Sequence, residues 1–152
     1  VSKIVSISEL KQTLLPGYRL LGMDPGTKTI GLALSDIMHV VATPLETLKR
    51  TKFKNDIVRL IEIVEKEKVG GFVIGWPVNM DGSEGPRCQS VKSFAHNLGE
   101  RIDLPQVLWD ERLSTAAVER TLIEADSSRA RRKQVIDKMA AAYILQGALH
   151  AL

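Results

Sequence analysis

The spacing of apolar residues changes period after residue 53, and that change predicts the architecture. Residues 18–23 form an apolar run ending in Asp24, and I-G-L-A-L-S at 30–35 forms a second, with Pro25-Gly26 as a tight turn between them. A third strand is predicted around 44–48, which makes a meander of three short strands. Ahead of it, Ser6 stands three residues before Glu9, the spacing of a capping box, and Leu10, Leu14 and Leu15 continue a short helix stopped by Pro16-Gly17. Beyond Phe53, Ile57, Leu60, Ile61 and Val64 recur at helical spacing, and Gly70-Gly71 is the predicted stop. F-V-I-G-W at 72–76 is a short strand apolar on both faces. A polar loop over 77–85 leads to Pro86, which suits a helix start and precedes Val91, Phe94, Ala95 and Leu98. Residues 107–109 give another strand ending at Asp110-Glu111. Ser114 can cap a helix carrying Ala117, Val118, Thr121 and Leu122, and a last helix holds Ile136, Met139, Ala140, Tyr143 and Ala148 after a polar stretch at 126–132.

An antiparallel meander followed by strand–helix–strand crossovers predicts an α/β fold: one mixed five-stranded sheet with helices on both faces. The 152 residues fit one domain, read as a helical extension over 1–17 and a single domain over 18–152. Hydrophobic residues at 44% and charged residues at 26% exclude a disordered or fibrous chain. The single cysteine, Cys88, excludes an internal disulfide and speaks against a Cys-ligated zinc site. Lys3, Glu9 and Lys11 interrupt the first fifteen residues, so no signal peptide is read there, and no run is long enough to span a bilayer. A soluble cytoplasmic protein with no membrane partner is expected. The net charge of +3 is a weak pointer to an anionic partner, sharpened by two clusters: Lys49, Arg50, Lys52 and Lys54, and Arg129, Arg131, Arg132 and Lys133.

Three acids stand where burial would require a counter-charge. Asp24 closes an apolar strand, and Asp110 and Glu111 close another, where adjacent residues point to opposite faces so that only one can join a given site. Asp137 shares a helical stripe with Ala140, Ala141 and Ile144. Hard carboxylate oxygens, without a histidine or cysteine cluster, favour Mg²⁺ or Mn²⁺ over zinc, and such ions activate water against phosphodiesters. His39, His96 and His150 share no ligand-like spacing. The turn amides of 26–29 with Lys28, and the loop residues Asn79, Ser83 and Arg87 at a helix start, can meet phosphate. Arg112 adjoins the acidic pair, either at the substrate or in a structural ion pair.

The strings D-P-G-T-K-T-I-G-L-A-L-S-D (24–36), G-W-P-V-N-M-D-G-S-E-G-P-R (75–87), W-D-E-R-L-S-T (109–115) and D-K-M-A-A-A-Y-I-L-Q (137–146) resemble the YqgF family, also called RuvX. Its members are described as Holliday junction resolvases or pre-16S rRNA nucleases. The resemblance runs from about Gly22 to the C-terminus and implies the RNase H-like fold. It also implies a metal-dependent endonuclease using Mg²⁺ or Mn²⁺ on structured nucleic acid, either precursor ribosomal RNA or branched DNA, as a monomer or homodimer. The implied metal-binding, catalytic residues are Asp24, Asp110 or Glu111, and Asp137. Lys28, Asn79, Arg87, Arg112 and the cluster Arg129, Arg131, Arg132 and Lys133 are expected on nucleic acid. Two other classes fit parts of the pattern. One is a binding factor without catalysis. The other is an actin-like ATPase domain, which D-P-G-T-K-T-I-G also resembles, although such proteins close two domains over ATP.

Overall fold

The computed structural model describes residues 3–79, 81–113 and 129–152, with the backbone alone for 113 and 129–136. Ser6 caps the first helix, α1 (Ile7–Thr13), through the reciprocal Ser6–Glu9 pairing that the spacing predicts. Strands β1 (Arg19–Pro25), β2 (Thr29–Ser35) and β3 (Ala42–Lys49) form the antiparallel meander. Then come α2 (Phe53–Glu67), β4 (Val69–Trp76), α3 (Pro86–Arg101), β5 (Gln106–Asp110), a 3₁₀ turn (Glu111–Leu113) and α4 (Arg129–Ala151). The sheet order is β3-β2-β1-β4-β5, with β4 parallel to both β1 and β5. The helix read from Ser114 lies outside the described residues.

Two boundaries differ from the sequence reading. Helix α2 ends at Glu67, not at Gly70-Gly71, because Lys68 takes the left-handed C-cap with φ of 51°. The two glycines lie inside β4, where a Cβ on Gly70 would press on Tyr18 and one on Gly71 on Leu10, so their smallness serves packing. The last helix begins at Arg129, inside the polar stretch at 126–132 that was expected to precede it; basic residues form helix readily when no Pro or Gly intervenes.

Alternation along the strands sends side chains to two cores. Leu21, Met23, Ile30, Leu32, Phe72 and Ile74 meet α2 and α3 on one face. Leu20, Ala33, Val73 and Val107 meet α1 and α4 on the other, through Leu10, Ala141, Ile144, Leu145 and Ala148. The amino-terminal segment is sewn to the sheet: Val5 N–H donates to the Gln106 carbonyl at 2.7 Å, and Gln106 N–H to the Lys3 carbonyl at 2.8 Å. Leu10, fully buried, adds about 1.5–3 kcal/mol of apolar burial.

Helix α4 lies unusually close to the sheet, and small residues on both sides allow it. Ala140, Ala141 and Ala148 are buried on its inner stripe. Opposite them, a Cβ on Gly22 would stand 2.8 Å from the Cβ of Leu145 and 3.0 Å from the Ala141 carbonyl.

Candidate active site

The sheet register sets up the site. Asp24, the sixth residue of β1, pairs with Gly31 on β2. On its other side Met23 pairs with Ile74, so Asp24 comes level with Gly75 of β4. Neighbouring strands are about 4.8 Å apart, so Gly31, Asp24 and Gly75 form a row across three strands, on the face covered by α4. Two glycines thus flank one aspartate.

Each glycine makes room for another acid. A Cβ on Gly31 would overlap the backbone carbonyl of Asp137, so α4 enters the site only because position 31 is bare. A Cβ on Gly75 would stand 2.7 Å from Oε1 of Glu111 and 2.8 Å from Cδ1 of Ile144, so the Glu111 carboxylate occupies the space a side chain would take. Asp24 itself is only 8% exposed. Asp137 is half-buried, and its Oδ2 accepts a hydrogen bond from Thr29 Oγ1 at 2.6 Å. Acids from three distant parts of the chain therefore meet one face at the carboxyl end of β1.

Asp110 does not join that row. It is level with Trp76, whose ring packs on the α2–α3 side, whereas Trp109 lies on the α4 side. The 3₁₀ turn then brings Glu111 back to the α4 face. Asp110 is held by Arg112 in a bidentate pair, with Nη2 to Oδ2 at 2.7 Å and Nε to Oδ1 and Oδ2 at 3.1 and 3.0 Å. The backbone N–H of Arg112 adds a bond to Oδ1 at 2.9 Å. The side-chain bond from Arg112 is the main reason the Asp110 carboxyl lies below the usual carboxylate range, against a smaller opposing effect of burial.

The other expected contacts separate into two groups. Asn79 is committed within its loop: its backbone N–H donates to the Ser83 carbonyl at 2.9 Å and its side-chain amide to Ser83 Oγ at 3.0 Å. Asp81 accepts from Ser83 Oγ at 2.6 Å and from Ser83 N–H at 2.9 Å, which holds its carboxyl below the usual range. Arg112 is engaged with Asp110. Lys28 in the β1–β2 turn and Arg87 in the first turn of α3 are exposed. The side chains of Arg129, Arg131, Arg132 and Lys133 lie outside the described residues. Sequence reasoning missed Thr29, Gly31 and Gly75; the signal was present, since 29 and 31 share the parity that points one face of β2 toward α4.

Among the described residues no three or more Asp, Glu, His or Cys side chains are placed so that together they could hold a metal ion. What the site offers is a donor set of hard carboxylate oxygens on one face, with the bare row of positions 31 and 75 beside Asp24. That set suits Mg²⁺ or Mn²⁺ in the chemistry of its donor atoms. Among the described residues no helix is long and apolar enough to cross a membrane.

A mixed sheet in this order, with acids gathered at the end of its central strand, defines an RNase H-like α/β protein. Solved structures share the fold: Thermus thermophilus RuvC in complex with a Holliday junction superposes with a TM-score of 0.56 at 15% identity, covering 88% of this chain and 94% of that one. The chain belongs to the RuvX family of Holliday junction resolvases, a family of nucleases, whose profile matches residues 18–151. A relative from Paramagnetospirillum magneticum, named as a candidate pre-16S rRNA nuclease, is 61% identical over 96% of this chain and 94% of its own length. One from Roseobacter denitrificans with the same name is 62% identical over 89% of this chain and 85% of its own.

Proposed function

We propose that this protein is a cytoplasmic, divalent-metal-dependent endonuclease that hydrolyses phosphodiester bonds in structured nucleic acid, namely the 5′ region of precursor 16S rRNA or a branched DNA junction. The observation that carries the reading is the Gly31–Asp24–Gly75 row, which gives Asp24, Asp137 and Glu111 a common face.

In this reading Asp24, Glu111 and Asp137 hold the metal, and Asp110 does not. A bound Mg²⁺ or Mn²⁺ would lower the pKa of an attacking water and neutralise charge on the phosphate. The chain's own residues prepare the site for it. Burial of Asp24 under α4 keeps a carboxylate where water competes poorly. Thr29 fixes the Asp137 carboxylate by donating to one oxygen, and so orients the other. Arg112 neutralises Asp110 on the opposite face, so the second acid of the pair adds no repulsion to the row.

Cleavage of a four-way junction and of a precursor rRNA fragment, with Mg²⁺ or Mn²⁺, tests the assignment. Asp24→Asn, Glu111→Gln and Asp137→Asn are each expected to slow cutting by roughly 100-fold or more, the loss of several kcal/mol of charge stabilisation. Asp110→Asn should remain within about tenfold of the unmodified chain. Loss on Asp110→Asn with normal cutting by Glu111→Gln would reverse the assignment.

A further inference from the structure

The β3 end of the sheet carries exposed lysines, Lys28 and the cluster at 49–54, to which the carboxylate site gives no role. Lys49 is the last residue of β3 and pairs directly with Thr29, the residue that holds Asp137. Directly opposed residues of an antiparallel pair share a face, so Lys49 lies on the α4 face, one strand outward from the carboxylate row. Lys28 lies in the turn before Thr29, and Lys52 and Lys54 stand at the start of α2, which packs on the opposite face of the sheet. All four are exposed, and none forms an ion pair among the described residues.

The ledge is stiff. Arg50 N–H donates to the Lys28 carbonyl at 2.8 Å, its guanidinium donates to the Gly26 carbonyl, and its Cζ lies 5.5 Å from the centroid of the Phe94 ring. Buried Asp56 accepts from the backbone N–H and the hydroxyl of Thr51 at 2.9 to 3.2 Å. The nearby acids are therefore committed elsewhere: Asp56 to Thr51 and Glu46 to Arg59. Four like charges on a rigid edge repel one another, and a polyanion relieves that cost.

We propose that Lys28, Lys49, Lys52 and Lys54 form the phosphate-backbone track of the nucleic-acid substrate, with Lys49 at the phosphate nearest the carboxylate row, so that the strand enters across the β3 edge. The proposal rests on the nuclease reading for its substrate class. Binding is independent of cutting, so the two can fail separately.

The test is fluorescence anisotropy of a labelled four-way junction and a labelled precursor rRNA fragment, without divalent metal, between about 50 and about 200 mM salt. Lys28→Gln with Lys49→Gln should weaken binding by about tenfold or more and reduce the slope of log affinity against log salt by about 2. Lys11→Gln with Lys66→Gln removes the same charge from exposed positions away from the site and should change neither quantity. Arginine at 28 and 49 should keep both. Unchanged affinity and slope in the 28/49 pair, an equal loss in the 11/66 pair, or an unmodified chain that binds neither probe would each overturn the track. An unmodified chain that binds through these lysines yet cuts nothing with Mg²⁺ or Mn²⁺ removes the nuclease reading and leaves the track standing.

Discussion

The bond from Thr29 to Asp137 separates positioning from stability. Thr29→Val deletes one hydroxyl donor from a half-buried bond, and the fold loses about 1 kcal/mol or less. Cutting should fall further, by roughly 10- to 100-fold, because the Asp137 carboxylate is then free to turn from the row. Thr29→Ser restores the donor and should restore the rate, while a thermal melt follows only the small stability change. Equal rates for the Val and Ser variants would show that the bond orients nothing. The Asp110–Arg112 pair makes a different prediction. With its folded carboxyl held low, Asp110 stabilises the fold in full above the unfolded pKa of about 3.9, and this contribution is lost as pH falls through the folded value. The pair is partly exposed, so its contribution is about 1 kcal/mol at most. The melting-temperature gap between the unmodified chain and Asp110→Asn should be level from neutral pH down to about 5 and close under stronger acid. A gap that widens on acidification would contradict the pairing.

At the scale of elements, the site depends on how closely α4 approaches the sheet. Gly75→Ala places a methyl group where Glu111 Oε1 and Ile144 now lie, so the carboxylate must leave and cutting should drop by roughly 100-fold, with about 1–3 kcal/mol of destabilisation. Gly31→Ala meets backbone, not a movable side chain, and should cost more stability than Gly75→Ala; chemical denaturation of the two variants compares them directly. Much of this architecture was legible in the chain. Ser6 and Glu9 announced α1, Pro86 the start of α3, and the apolar runs ending at Asp24 and Trp76 the two central strands. The stop of α2 was misread because Gly70-Gly71 has the composition of a helix terminator, whereas Lys68 does that work and the glycines admit Tyr18 and Leu10. The site was legible as a set of residue types and not as a geometry. Strand alternation says that only one of Asp110 and Glu111 can face α4, but the choice is made by the 3₁₀ turn and by the Arg112 fork, which no periodicity records.

For the whole molecule, charge and symmetry bear on the substrate. A net charge of +3 is small, so affinity for nucleic acid depends on where the lysines and arginines lie, and Lys28 and Lys49 are exposed next to Thr29, with Lys52 and Lys54 exposed at the start of α2. Resolving a four-way junction calls for two sites related by a two-fold axis, whereas trimming a ribosomal RNA precursor needs one. Sedimentation with and without a junction separates the two roles, a dimer on the junction supporting resolution and a monomer throughout supporting trimming. A crystal structure of the unmodified chain soaked in Mn²⁺, with the ion located by its anomalous signal, tests the carboxylate row directly. Mn²⁺ is expected over the Gly31–Asp24–Gly75 row, held by oxygens of Asp24, Glu111 and Asp137, with Asp110 still on Arg112. Manganese bound at Asp110, or a row that takes up none at a concentration supporting cleavage, would contradict it.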